Sequence, residues 1–227
     1  MFYFDTGYLI FVLPAIIIAM IAQSKVNSTF NKYSKVLNTR GITGAEVSQK
    51  ILSLYGIYDV TIEHVSGNLT DHFDPRSKTI RLSDSVYSST SVAALGVAAH
   101  ETGHAIQHNI GYMPIKMRNA VLPVANLGSG LAFPLVILGI ILSFPTLVNF
   151  GILLFSAVVL FQIITLPVEF NASRRAIAVM EQQYILSDSE LVGAKKVLSA
   201  AAMTYVAATI VALGNLLRLI GIARKND

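Results

Sequence analysis

Four long apolar runs limit what this chain can fold into more than any other feature. They extend from Gly7 to Ala22, from about Ala120 to Ser143, from Leu147 to Leu166, and from Ala200 to about Ile222. A helix needs about 20 largely apolar residues to cross the hydrocarbon core of a bilayer, where every backbone amide must be satisfied within the helix itself. The composition agrees: 53% of residues are hydrophobic, 13% are charged and the mean hydropathy is +0.60, outside the usual range of soluble globular domains. The expectation is a multi-pass membrane protein. A cleaved signal peptide fits the first run poorly, because Asp5 and no Lys or Arg precede it and no A-x-A site follows. Only Phe144, Pro145 and Thr146 separate the second run from the third, which predicts a tight helical hairpin. The fourth run carries Asn215 and Arg218; it either spans with its polar groups turned inward or lies at the interface.

Between the first two runs lies a polar segment, 24 to 118, long enough for a small domain. Gly44 to Tyr55 has apolar residues at helical spacing, while Val60–Ile62 and Lys78–Ser83 read as strands. The Asp- and Pro-rich stretch 71 to 77 between them reads as a turn. Small apolar residues from Ser91 to His100 follow the polar run Ser88, Ser89 and Thr90, where a hydroxyl can cap a helix of about 91 to 109.

That helix carries His100, Glu101, Thr102, Gly103 and His104, the pattern HExxH. Residues four apart share a helix face, so His100 and His104 can aim ring nitrogens at one ion. Glu101 is rotated by about 100° from His100, beside such an ion, where its carboxylate can take a proton from an attacking water. A buried helix end with two imidazoles and a carboxylate calls for a partner such as a metal ion. His108 stands about 12 Å along the axis from His100, too far to share one ion unless the helix breaks. The metzincin extension would need Gly at 107 and His at 110, where this chain has Gln107 and Ile110.

A catalytic zinc usually takes three protein ligands. The chain has no cysteine, so thiolate ligands and disulfides are excluded. The acidic residues downstream are Glu169, Glu181, Asp188, Glu190 and Asp227. Glu169 follows the third apolar run directly, on the membrane face to which the hairpin returns the chain, and is the expected third ligand. Its plainer role would be an ion pair with Arg174 or Arg175. Glu181 and Glu190 fall in a more polar stretch, expected to be solvated. His72 could be a ligand or substrate contact, although a turn histidine more often bonds nearby backbone.

Fourteen of the seventeen basic residues, Lys25 to Lys196, fall on one side of the membrane if the first three runs span. The positive-inside rule makes that side the cytoplasm and puts the N-terminus outside. The net charge of +4 is then a topology signal. No interleaving of aromatic and basic residues suggests a nucleic-acid partner.

HETGHAIQH (100 to 108), with the upstream DHFDPRSKTIRLS (71 to 83) and the downstream LPVEFNASRRA (166 to 176), resembles the YugP family of membrane-bound neutral zinc metallopeptidases over nearly the whole chain. More distantly, the layout is similar to that of the HtpX and CAAX prenyl endopeptidases among the gluzincins. The resemblance implies one zinc ion per chain held by His100, His104 and Glu169, with Glu101 as general base. The wider gluzincin pattern often has Asp four residues after the ligand glutamate, where this chain has Ser173. Asn171 or Ser173 is then the candidate for the hydrogen bond that orients a ligand.

The expected architecture is a mainly α membrane protein with about four transmembrane helices and a small α+β, zincin-like domain at the membrane surface. Its parts are transmembrane helix 1 to 23, catalytic domain 24 to 118, hairpin 119 to 167, third-ligand helix 168 to 199, and a fourth helix with its tail, 200 to 227. The expected activity is hydrolysis of membrane or juxtamembrane proteins in a bacterial plasma membrane, with the active site facing the cytoplasm. Candidates to stabilise the oxyanion are His72, Arg174 and Arg175. The strand Thr79, Ile80, Arg81 and Leu82 is a candidate to pair with an extended substrate. The rival readings are an intramembrane protease, with HExxH inside a span, and a non-enzymatic scaffold that holds zinc structurally. A membrane-protein regulator fits any of these.

Overall fold

The computed structural model describes residues 6–224, so Asp5 and the candidate acid Asp227 lie outside the described residues. A π-helical turn, Tyr8–Val12, opens helix α1 (Leu13–Tyr33); then come α2 (Gly44–Leu54), β1 (Thr61–Val65), β2 (His72–Asp74), β3 (Thr79–Ser83) and α3 (Val92–Asn109). The chain continues through α4 (Met113–Ile141), α5 (Pro145–Gln182) and α6 (Asp188–Ala223). Four helices, Tyr8–Tyr33, α4, α5 and α6, are long and apolar enough to cross a membrane. The 18-residue α3 is not among them. The protein is a mainly α membrane protein with one small sheet.

Two compact units can be distinguished: 24–112 with 168–202, and the described parts of 1–23, 113–167 and 203–227. In the first, α3 is the central element. Its Val92, Ala93, Ala94, Leu95, Ala98 and Ala99 are fully buried, and their small side chains let neighbouring elements approach closely. Its N-cap is Ser91, whose hydroxyl accepts from the Ala94 amide at 3.2 Å, one residue beyond the polar run expected to cap it. The helix stops at Gly111. At φ +63° that residue takes the left-handed conformation glycine adopts without penalty, and the Tyr112 amide donates back to the Gln107 carbonyl at 2.9 Å. A reciprocal capping box between Thr43 and Glu46 starts α2.

The sheet has three strands in the order β1-β3-β2, with β1 parallel and β2 antiparallel to β3. Two features differ from the sequence reading. His72–Asp74, expected within a turn, forms an edge strand, and the turn proper is 75–78. There Asp74 accepts from the Arg76 amide at 2.9 Å and the Ser77 hydroxyl at 2.8 Å. These bonds, led by the Arg76 amide, hold the Asp74 carboxyl down to about 2. Second, β3 is the central strand, with Ile62 opposite Ile80 on one side and Phe73 opposite Ile80 on the other. Thr79, Ile80 and Arg81 are paired on both sides and Leu82 is paired with His64 of β1, so the outer edges of the sheet belong to β1 and β2.

In the other unit, α4 and α5 form the expected hairpin. Ser143, at φ +51°, turns the chain, and the Phe144 amide donates to the Gly139 carbonyl at 2.7 Å. A Cβ on Gly128 would stand 2.4 Å from the Leu154 carbonyl oxygen, and one on Gly151 would stand 2.8 Å from that of Ala132. The two backbones therefore pack at the close range that small residues allow between membrane helices. Helix α5 does not end with its apolar run. It continues through Pro167 to Gln182, roughly 57 Å at 1.5 Å per residue, well beyond the roughly 30 Å of a hydrocarbon core. Glu169 therefore stands within a continuous helix rather than in a segment after one.

Candidate metal centre

Helix α3 presents His100 and His104 one turn apart, with ring planes at 86° and centroids 4.7 Å apart. Helix α5 brings Glu169 against them. The approach is closest at Gly103, where a Cβ would lie 2.8 Å from the Ala172 carbonyl oxygen and 3.2 Å from its Cα. The absence of a side chain at 103 lets one turn of α5 sit on the turn of α3 that carries both histidines.

Three donor atoms converge. His100 Nε2 and His104 Nε2 are 3.2 Å apart, and Glu169 Oε2 is 3.3 Å from the first and 3.5 Å from the second. Donors around a tetrahedral zinc with bonds of about 2.0–2.1 Å stand about 3.3–3.4 Å from each other, so one ion fits the triangle without moving a ligand. Two imidazoles and one carboxylate are also a donor set that suits zinc. Among the described residues, His100, His104 and Glu169 are the group able to hold a metal ion. The carboxylate is only 5% exposed and each imidazole 12%, so solvent screens the ligands little.

A second layer of hydrogen bonds holds the ligands in place. Ser173 Oγ lies 3.0 Å from His100 Nδ1, so the serine at the position where gluzincins often have Asp does contact a candidate ligand. Asn171 does not touch one directly. The residue on His104 is Gln107, with Oε1 3.0 Å from Nδ1, and Gln107 Nε2 donates to the Val168 carbonyl at 2.8 Å and to Asn171 Oδ1 at 3.0 Å. Arg175 Nε donates to the same Asn171 oxygen at 2.8 Å. In the sequence Gln107 stands out as a departure from the metzincin pattern and as one of the polar residues that end the apolar lead-in. Its spacing was the available signal, since a polar residue three positions after a ligand on the same helix can reach that ligand's ring.

Burial pushes the His104 imidazole down, but the hydrogen bond that the protonated ring donates to Glu169 and the charges of Glu101 and Glu169 outweigh it and hold His104 above its ordinary value. Asp71 is held up chiefly by burial, against hydrogen bonds from the Ser83 amide and hydroxyl at 2.7 and 3.0 Å, and the charge of Glu101 adds to the rise. Glu101 thus acts electrostatically on a ligand and on a second, partly buried carboxyl.

The remaining candidates fall elsewhere. His72 is exposed on β2, with Nδ1 2.9 Å from the Thr70 carbonyl. His108 is exposed with its ring beside Phe73, and Arg174 is exposed. Glu181 pairs with Lys195 at 3.9 Å. Glu190, expected to be solvated, is 7% exposed and accepts from the Thr39 and Ser187 amides at 2.6 and 2.7 Å, so it ties a loop to the start of α6.

Comparison with known proteins supplies independent findings. A family model described as "Putative neutral zinc metallopeptidase" matches residues 8–224. The protein described as "Putative membrane protease YugP" of Bacillus subtilis (strain 168) is 47% identical over 213 residues, covering 94% of this chain and 95% of that protein. No solved structure matches. With the four apolar helices, these similarities make the chain an integral membrane protein, and it belongs to the neutral zinc metallopeptidase family that includes YugP.

Proposed function

We propose that the protein is a membrane-anchored zinc-dependent endopeptidase in which His100, His104 and Glu169 hold one zinc ion and Glu101 moves the proton. The observation that carries this reading is the donor triangle, with edges of 3.2, 3.3 and 3.5 Å, beside a carboxylate one residue from a ligand. Held by these three residues, a zinc ion would supply Lewis acidity, making an attacking water more acidic and a substrate carbonyl more electrophilic. Glu101 accepts a proton as the water oxygen attacks the peptide carbonyl carbon, then delivers it to the amine nitrogen as the C–N bond breaks. Ser173 and Gln107 fix the two rings, so the ligands need no rearrangement during turnover.

Two features favour this reading over its rivals. An intramembrane protease would carry HExxH in a spanning helix, whereas α3 is not one of the four helices suited to cross a membrane. A structural zinc site normally has four protein ligands, and the group here offers three. The substrates proposed are membrane proteins or their juxtamembrane segments, with the site on the cytoplasmic side where the basic residues lie.

Two substitutions separate the roles. Glu101→Gln keeps shape and loses the proton acceptor, so zinc content should stay near one equivalent while hydrolysis falls about 10²- to 10⁴-fold. Glu169→Ala should lower both zinc content and hydrolysis, because two histidines alone hold the ion weakly. Full zinc and near-normal turnover in the Glu169 variant would refute the ligand assignment. For orientation, a reporter active only outside the cytoplasm should work when fused after Phe144 and fail after Arg175; the reverse pattern would put the site outside.

A further inference from the structure

The hydrogen bonds around Gln107 have a fixed direction. A backbone carbonyl can only accept, so the Gln107 amide atom 2.8 Å from the Val168 oxygen must be nitrogen. A guanidinium can only donate, so the Asn171 atom 2.8 Å from Arg175 Nε must be oxygen. That oxygen then accepts from Gln107 Nε2 at 3.0 Å, and the two requirements agree. The other Gln107 atom is therefore an oxygen, which has no proton to give, and it faces His104 Nδ1 at 3.0 Å. Only a ring with its proton on Nδ1 satisfies this contact. In the neutral ring the lone pair is then on Nε2, the atom 3.5 Å from the Glu169 carboxylate. His100 has no such constraint, because the Ser173 hydroxyl at its Nδ1 can donate or accept.

We propose that Gln107 is a positioning residue that locks His104 in its Nδ1–H tautomer, with Val168, Asn171 and Arg175 setting the sense of its amide. Gln107 is fully buried, so water does not compete for these bonds. Val168, Asn171 and Arg175 lie on one face of α5 beside the Glu169 turn, so the helix that brings the carboxylate also sets the tautomer of an imidazole on α3. A neutral amide replaces the carboxylate that often backs a ligand histidine. It orients the ring without adding negative charge beside Glu101 and Glu169. The proposal rests on the metal-centre reading above.

The test uses full-length, zinc-free protein in detergent with its five histidines labelled with ¹⁵N, at alkaline pH where imidazoles are neutral. Long-range ¹H–¹⁵N spectra report which ring nitrogen carries the proton. In the wild type His104 should carry it on Nδ1. Gln107→Leu, an apolar replacement of similar size, should release the tautomer towards Nε2–H and weaken zinc binding by about 10- to 100-fold. Gln107→Glu should keep Nδ1–H, since both its oxygens accept, yet melt earlier, because one of them faces the Val168 and Asn171 oxygens. A purely structural role predicts the reverse, with melting changed and tautomer unchanged in the leucine variant. Wild-type His104 protonated on Nε2, or a leucine variant with unaltered tautomer and zinc affinity, overturns the proposal. Wild-type protein that keeps Nδ1–H but binds no zinc would fail differently, sinking the metal-centre reading and the positioning role with it.

Discussion

Placing alanine at position 103 tests how tightly the site depends on one close helix contact. The new Cβ would stand 2.8 Å from the Ala172 carbonyl oxygen, with Ala172 Cα and C at 3.2 and 3.3 Å. All three are backbone atoms, which cannot swing aside. Carbon–oxygen contacts ordinarily lie at about 3.3–3.6 Å, so α5 must recede by about 0.5 Å. Glu169 is three residues before Ala172 on the same helix, so it moves with that turn. The donor separations of 3.3 and 3.5 Å to the histidines would then approach about 4 Å, beyond the roughly 3.4 Å edge of a tetrahedral zinc site. Zinc affinity should fall about 10- to 100-fold and kcat/KM by up to about 10². Stability should change less. The overpacking cost of about 1–3 kcal/mol is opposed by the roughly 1 kcal/mol by which alanine exceeds glycine in helix propensity. Gly96→Ala is the matched control on the same helix: its Cβ would meet Ala194 at 3.6 Å or more, an ordinary contact, so it should keep zinc and melt no earlier. The measurements are zinc competition against a chelator, turnover of a peptide reporter and thermal melting. Gly103→Ala protein with wild-type zinc affinity and turnover within twofold would refute the close-contact argument.

Two further outcomes follow from the same structure. Protonated His104 cannot donate its Nε2 lone pair. Because its neighbours hold it above the ordinary histidine value, zinc affinity should be full only above that raised value and weaken as pH falls through it, with proton release on binding; chelator titrations at stepped pH check this, and affinity flat from mild acid to neutrality would contradict it. At the end of α5, Tyr184 is 76% exposed and holds φ +49°, a left-handed conformation that costs a non-glycine residue about 1–2 kcal/mol. Tyr184→Gly relieves that strain less its own entropy cost, so melting should rise by about 2 °C, and an unchanged or lower midpoint would count against strain there.

Much of this protein is legible along the chain because the signals are local. The four apolar runs depend only on consecutive residues, and HExxH puts two imidazoles on one helix face through the 3.6-residue repeat alone. Glu169 was reachable because a hairpin of known length had to return the chain to the side it left. Other features depended on pairings that sequence spacing does not encode. Thr79–Leu82 read as a strand able to receive a substrate, but whether a strand is central or at an edge is decided by which others pair with it, and His72–Asp74 took the remaining edge. Glu190 sits in a polar stretch yet is buried: besides the local Ser187 amide it accepts from the Thr39 amide, 151 residues away, a contact that spacing does not reveal. Gln107 shows the division most plainly. The sequence put it three residues after His104, but its partners Val168 and Asn171, and the Arg175 that bonds Asn171, lie more than sixty residues away on α5. Only the close packing of two helices at Gly103, set by the tertiary fold, turns that amide towards His104.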